Sequence, residues 1–166
     1  MSKSKKKKSR KKKKINPINP RVNPGRAALI ERVKKSRYLP GADIIIDPPH
    51  KEKMSEVIKD FVAPFLDACV DNTQIRTVIS IGFVVWNASL LPGKKQQAML
   101  KKIKYLLPIR DEEKKHLFYK DIIKTLLKRK KKYFSSNKRM ILDYQFSEHN
   151  GELSFDVVST LGEENG

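Results

Sequence analysis

The chain has 166 residues, and its 37 Lys and Arg outnumber its 18 Asp and Glu, so the formal net charge is +19. This length predicts a single domain with an appended tail and argues against a multidomain enzyme. The lone cysteine, Cys69, excludes an internal disulfide and argues against a disulfide-stapled secreted fold.

The charge is segregated along the chain into four blocks. Residues 1–40 hold 16 basic and 1 acidic residue, and residues 41–93 hold 4 basic and 7 acidic ones. Residues 94–139 hold 17 basic and 4 acidic residues, whereas residues 140–166 hold 6 acidic residues and no basic one. This order predicts a basic arm, a mildly acidic middle, a second basic block and an acidic end.

The arm has a composition that opposes folding. Residues 3–14 read KSKKKKSRKKKK and place ten positive charges in twelve positions, with no apolar residue among them. Asn-Pro then occurs three times before residue 25, which predicts an extended spacer. Residues 1–24 are therefore expected to form a disordered Lys-rich and Asn-Pro arm. Residues 25–50 predict a short helix followed by a Pro-rich linker.

A body spanning residues 51–160 is predicted to contain about four helices, because apolar residues recur at helical spacing. The first covers residues 54–69, and Pro64 either kinks it or separates two shorter helices. Residues 75–91 are apolar nearly all round and predict the central helix, although the β-branched residues in their middle leave a strand as the alternative.

Two further helices follow in the second basic block. Residues 94–107 predict the third helix, and the residues expected to face the core are Ala98, Leu100, Ile103, Leu106 and Leu107. The fourth helix opens with three acidic residues at 111–113 and closes with five basic residues at 128–132, an order that complements the helix dipole. Its predicted buried stripe consists of Leu117, Phe118, Ile122, Leu126 and Tyr133.

The chain is predicted to end in a β-hairpin. Apolar and polar residues alternate on both sides of Asn150-Gly151, and both central positions of a type I′ turn require a positive φ. The expected cross-strand pairs are His149 with Glu152, Phe146 with Phe155, and Tyr144 with Val157. The predicted fold class is therefore α+β: a small helical bundle followed by a C-terminal β-hairpin, with a disordered basic N-terminal arm and a tail at residues 161–166.

No linear motif identifies an enzyme, and no cofactor or metal site is predicted. Cys69 lies on the apolar stripe of the first helix, where a packed thiol is expected. Asn87 lies in the most apolar element, so its amide is expected to bond to backbone or to a neighbouring helix, with a pocket residue as the alternative. Asp43, Asp47 and His50 cluster in the Pro-rich linker, where a metal or a catalytic base is the less favoured interpretation.

The basic arm is the feature that requires a partner, since dense lysines gain affinity by releasing counterions from phosphates. The predicted function is non-enzymatic, electrostatic binding of RNA or a ribonucleoprotein, with DNA as the other nucleic acid. The predicted nucleic-acid-binding residues are Lys5, Lys6, Lys7, Lys8, Arg10, Lys11, Lys12, Lys13, Lys14, Lys128, Arg129, Lys130, Lys131 and Lys132. Aromatic residues are not interleaved with the arm, and one aromatic pair, Tyr133 and Phe134, lies beside the second basic block, so base-specific recognition of a single strand is not expected.

Two other functions remain open. One is a protein-interaction or adaptor module that uses the helical body and the acidic hairpin. The other is a small enzyme with a site assembled from dispersed residues such as Asp43, Asp47 and Asn87. A membrane partner is not favoured, because the apolar stretch at residues 77–91 is shorter than the roughly 20 residues of a membrane span. The expected location is the cytoplasm, or the nucleus of a nucleated cell.

Overall fold

A computed structural model describes residues 24–35 and 52–160 of the chain. Its elements are α1 (Pro24–Lys35), α2 (Met54–Leu66), α3 (Asn72–Ser89), α4 (Gly93–Lys101), α5 (Ile103–Leu106), α6 (Glu112–Tyr133), β1 (Ile141–His149) and β2 (Glu152–Ser159). The predicted α+β class is confirmed, because α2, α3, α4, the short α5 and α6 precede an antiparallel two-stranded hairpin. The predicted arm up to residue 23, the linker over residues 36–51 and the tail from residue 161 lie outside the described residues.

Helix α3 is the centre of the fold and contacts α2, α4, α5, α6 and β1. Its Ile81, Val85 and Trp86 side chains are completely buried. The segment is a helix, so the strand alternative is wrong. Because other elements surround this helix, its apolar residues can be buried nearly all round. Gly82 allows α2 to approach closely, since a Cβ at this position would overlap the side chain of Val62.

Helix α2 runs through Pro64 without separating into two helices. Proline has no N–H, so the carbonyl of Asp60, four residues earlier, lacks its usual helical donor. The guanidinium of Arg129 from α6 replaces that donor, with Nη2 2.8 Å from the Asp60 carbonyl oxygen and Nε 3.0 Å from that of Phe61. The helix-breaking residue thus creates the acceptor that ties α2 to α6.

This arrangement predicts coupling between Arg129 and Pro64. Replacing Arg129 with methionine leaves the Asp60 carbonyl without a donor, and we expect the free energy of unfolding to fall by about 1–3 kcal/mol. In a Pro64→Ala background, the new N–H of residue 64 supplies the Asp60 carbonyl from within α2. The same Arg129 substitution should then cost about half as much or less, which urea unfolding of the four proteins in a double-mutant cycle measures.

Lys128→Met is the matched control for this cycle, because Lys128 is an exposed neighbour on the same helix. Its effect should be within about 0.5 kcal/mol in either background. Equal costs of Arg129→Met with and without Pro64 would show that the guanidinium stabilises the protein by some other contact.

The predicted third helix is divided at Lys102 into α4 and α5. The N–H of Lys102 donates to the carbonyl of Met99, three residues earlier, at 3.1 Å, and this tighter turn interrupts the α-helical bonding pattern. Leu100, Ile103 and Leu107 are buried as predicted. Ala98 and Leu106 are exposed, so their prediction as core residues is wrong: after the turn, α5 directs Ile103 inward and Leu106 outward.

Helix α6 begins where predicted, and the Asp111 carboxylate accepts bonds from the N–H groups of Glu113 and Lys114. Its buried stripe advances in steps of four residues, through the half-buried Phe118 and the buried Ile122, Leu126 and Lys130. Leu117 and Tyr133 lie off this stripe and are exposed, so their predicted burial is wrong. The residue that occupies the last buried position of the helix is a lysine.

The hairpin has the predicted turn and register. Asn150 and Gly151 both have positive φ, 51° and 79°, and all three predicted cross-strand pairs form. One face of the sheet packs on the body through aromatic contacts such as that between Phe83 and Phe155, whose ring centroids are 5.9 Å apart. A bulge at Leu142 interrupts the ladder near the start of β1.

Helix α1 covers the other face of the hairpin. Its Leu29 and Val33 form a small buried cluster with Val158, and Leu142 packs against that cluster. Arg32 donates to the Asp143 carboxylate at 2.9 Å, and this bond raises the pKa of the guanidinium. The hairpin is therefore covered on both faces, whereas the sequence indicated one apolar face only.

Candidate nucleic-acid interface

A groove of about 440 Å³ lies between the C-terminal half of α6 and Pro64 of α2; we call it the basic groove. Its lining residues are Pro64, Asp121, Lys124, Thr125, Lys128, Arg129, Lys132 and Tyr133. Residues 122–133 contain six basic residues and no acidic one, so positive charge dominates the groove. Asp121 supplies the one carboxylate of its lining.

Three exposed lysines, Lys124, Lys128 and Lys132, give the groove its charge. Residues four apart on a helix lie on neighbouring turns, about 6 Å apart along the axis, so the three side chains form a row. Within residues 24–35 and 52–160, no salt bridge joins any of these ammonium groups to a carboxylate. Their charge is therefore available to an external anion.

Tyr133 closes the groove at the end of α6 and is 59% exposed. The Lys132 Nζ lies 5.0 Å from the centroid of its ring, and the Arg129 Cζ lies 5.4 Å from it. The hydrogen bond and charge of Lys132 lower the pKa of the Tyr133 phenol, and the charges of Arg129 and Lys128 act in the same direction. Lys128, Arg129 and Lys132 together make the potential positive at the aromatic end of the groove.

Lys130, one of the predicted nucleic-acid-binding residues, does not lie at the surface. Its side chain is buried, and its ammonium donates to the carbonyl oxygens of Phe134 at 2.8 Å and Asn137 at 2.9 Å. The ammonium also lies 4.4 Å from the centroid of the Trp86 ring. Because the turn after α6 presents its carbonyls to this lysine, Lys130 stabilises the turn and is not available to phosphate. Of residues 128–132, Lys128, Lys131 and Lys132 are exposed and Arg129 is half-buried.

Arg139, another basic residue of the second block, is also structural. Its guanidinium donates to the carbonyl oxygens of Glu52 at 2.9 Å and Thr160 at 3.2 Å, and burial lowers its pKa. The carbonyl of Arg139 accepts a 2.8 Å bond from the indole N–H of Trp86. These bonds fix the C-terminal part of the segment that leads from the end of α6 to β1.

Asn87 bonds to the backbone, as predicted, and it also lines a cavity of about 240 Å³ between α3 and β1. Its amide nitrogen donates to the carbonyl of Ile141 at 2.8 Å, and its amide oxygen accepts from the N–H of the same residue at 2.9 Å. The side chain thus acts as an additional strand partner at the start of β1. The packed thiol is also confirmed: Cys69 Sγ donates to the carbonyl of Phe65 at 3.4 Å, and burial raises its pKa.

The remaining predicted residues are not among those that the structure describes. Lys5–Lys8, Arg10 and Lys11–Lys14 lie outside the described residues, as do Asp43, Asp47 and His50. In the part of the chain that the structure describes, no three His, Cys, Asp or Glu side chains gather in a metal-binding arrangement.

A second cavity, of about 280 Å³, lies at the C-terminal end of α2, where Phe65, Ala68 and Cys69 line it. Its walls are mainly apolar, with Phe65, Ile81, Leu107 and Phe118 among them, and its only titratable lining residue is Cys69. Because the pKa of Cys69 is raised, its thiolate is disfavoured, and this cavity offers neither an activated nucleophile nor an acid–base pair.

The aromatic end of the basic groove is the part of the candidate site that the sequence predicted wrongly, because Tyr133 was expected in the buried stripe. The four-residue spacing of Lys124, Lys128 and Lys132 is visible in the sequence and identifies a row of charge. The exposure of Tyr133 is not visible, because its helical position resembles that of the buried Leu126. Its neighbour Phe134 is the ring that packs inward, with centroid distances of 5.7 Å to Phe61 and 5.8 Å to Trp86.

Comparison of the chain with protein-family models, with curated proteins and with solved structures finds no match. Among the described residues, no helix is both long enough and apolar enough to cross a membrane.

Proposed function

We propose that this protein binds nucleic acid, with RNA or a ribonucleoprotein as its partner, through its Lys-rich arm and the basic groove. The observation that supports this most strongly is the row of exposed ammonium groups on α6 that no described carboxylate neutralises. Each phosphate that such a group contacts releases counterions, and this gain in entropy drives binding without sequence readout.

The arm and the groove act through the same chemistry in this proposal. Residues 1–14 add ten positive charges at one end of the chain, and residues 122–133 present a second concentration of positive charge on a rigid helix. A dense cationic segment increases the rate of encounter with a polyanion, while a fixed row of cations determines where the strand is held. The protein then works in the cytoplasm, or in the nucleus of a nucleated cell.

The test is the salt dependence of RNA binding, measured by fluorescence anisotropy with the full chain and two variants. One variant lacks residues 1–14, and the other carries Lys124→Gln, Lys128→Gln and Lys132→Gln. For single strands, each lost phosphate contact reduces the slope of log K against log salt by about 0.7. We expect both variants to bind more weakly at low salt and to have a shallower slope, with the larger change in the truncated chain.

The matched control changes three lysines outside the groove, Lys94, Lys95 and Lys101, to glutamine. These residues are exposed on α4, and the net charge falls by the same three units. The slope of log K against log salt for this control should be steeper than that of the groove variant and close to that of the full chain. A full chain that binds no RNA at low salt would contradict the proposed function, and equal slopes for the two triple variants would exclude the groove.

A further inference from the structure

We propose that the basic groove binds single-stranded nucleic acid, with one base stacked on the ring of Tyr133 and the adjacent phosphates paired with the groove lysines. This inference rests on the proposed function. It adds that the ligand is single-stranded and that Tyr133 is the residue that distinguishes a single strand from a duplex.

The exposed ring of Tyr133 is the first observation. A large aromatic side chain at the surface of a basic groove supplies what the lysines lack, a flat apolar face beside the positive charge. The next residue, Phe134, is anchored between Phe61 and Trp86, so the backbone that carries the Tyr133 ring is fixed. Little conformational entropy is then lost from the backbone when a base stacks on it.

The position of Arg129 is the second observation. Its guanidinium is held by the carbonyl oxygens of Asp60 and Phe61 and lies over the Tyr133 ring. The ring is therefore supported by a group that cannot move away with the ligand. Lys132 also lies over the ring, but its side chain is exposed and makes no bond to the backbone. Its ammonium can therefore leave the ring and bind a phosphate of the ligand.

Stacking on Tyr133 requires a base with an accessible face. This requirement distinguishes a single strand from a duplex of equal charge. In a duplex the base faces are covered by their neighbours in the stack, whereas an unpaired strand exposes them. Stacking on an aromatic side chain tolerates any base, so no sequence preference is expected. Lys128 and Lys124 continue along α6 from the ring, where the phosphates of the same strand reach them.

The experiment compares full-length Tyr133→Ala and Tyr133→Phe with the unmodified chain. The probes are a labelled 12-mer of uridylate, a duplex RNA of similar charge and inorganic polyphosphate. We expect Tyr133→Ala to weaken binding of the uridylate 12-mer by about 5- to 100-fold, the range for loss of one stacked base. Tyr133→Phe keeps the stacking face and should bind within about twofold of the unmodified chain, and neither substitution should change the affinity for polyphosphate.

Tyr105→Ala is the matched control, because Tyr105 is 90% exposed and lies outside the basic groove. It should not change the affinity for the 12-mer. Equal affinities of Tyr133→Ala and the unmodified chain for the 12-mer would overturn this inference alone, as would an equal loss with polyphosphate or the duplex. If the unmodified chain bound none of the three probes, the proposed function would fail as well.

Discussion

Replacing Asn87 with leucine is expected to lower the free energy of unfolding by about 2–5 kcal/mol. The substitution removes both bonds to Ile141, whose N–H and carbonyl are then left without partners at a buried position. Each unsatisfied buried backbone group costs about 1–3 kcal/mol, and the apolar replacement cannot recover that cost. Urea unfolding followed by tryptophan fluorescence measures the change, since Trp86 precedes the substituted residue and is buried.

Asn87→Asp separates the two bonds. An aspartate keeps the oxygen that accepts from the Ile141 N–H, but it places a second oxygen against the Ile141 carbonyl. We expect this variant to be strongly destabilised at pH 7 and to regain part of its stability on acidification relative to the unmodified chain, because a protonated carboxyl can donate to the carbonyl. Gln97→Leu, an exposed amide on α4, should change stability by no more than about 0.5 kcal/mol. An Asn87→Leu protein as stable as Gln97→Leu would contradict this account.

The Asn87 bonds also help to hold the segment that follows the basic groove. The chain between the end of α6 and Ile141 is held by Trp86, Lys130 and Asn87, which all bond to its backbone. Loss of the Asn87 bonds frees the C-terminal end of this segment, while the Lys130 bonds still hold its beginning. Stability should therefore fall much further than RNA affinity in the Asn87 variants that remain folded.

The hairpin and the central helix could be predicted from the sequence because each is determined by a local pattern. Asn150-Gly151 fixes the turn, and the turn fixes the pairing of Phe146 with Phe155. The continuous apolar character of residues 75–91 identifies the element that others surround. In both cases the residues that decide the structure are close together in the chain.

The roles of the basic residues could not be predicted in this way. Lys128, Arg129, Lys130 and Lys131 are consecutive and chemically similar, yet two of them are exposed, Arg129 binds the carbonyl left free by Pro64, and Lys130 is buried. Each outcome depends on carbonyl groups supplied by a segment distant in sequence or by a turn whose path the sequence does not state. For the same reason, the row of lysines could be seen in advance and the exposed tyrosine at its end could not.

The lowered pKa of Lys130 predicts that the free energy of unfolding increases as the pH rises through the alkaline range. Burial, and secondarily the charge of Lys138, lower the pKa of its ammonium from 10.5 to about 8 in the folded chain. Between these two values the unfolded chain binds more protons than the folded chain, so raising the pH favours the folded state. The stabilisation is absent below about pH 8, develops up to about pH 10.5, and amounts to at most about 3 kcal/mol.

Other groups in a chain of net charge +19 also titrate at alkaline pH, so Lys130→Met provides the reference that isolates this lysine. The free energy of unfolding of the unmodified chain, minus that of Lys130→Met, should increase between pH 7.5 and pH 10.5. Lys131→Met is the matched control, because Lys131 is the exposed neighbour and its difference should stay nearly constant over the same range. The bonds to Phe134 and Asn137 and the contact with Trp86 all favour the ammonium, and they act against the burial that lowers its pKa. Parallel pH profiles for the unmodified chain and Lys130→Met would therefore mean that these contacts balance the cost of burial, and that the ammonium loses its proton over the same pH range in the folded and the unfolded chain.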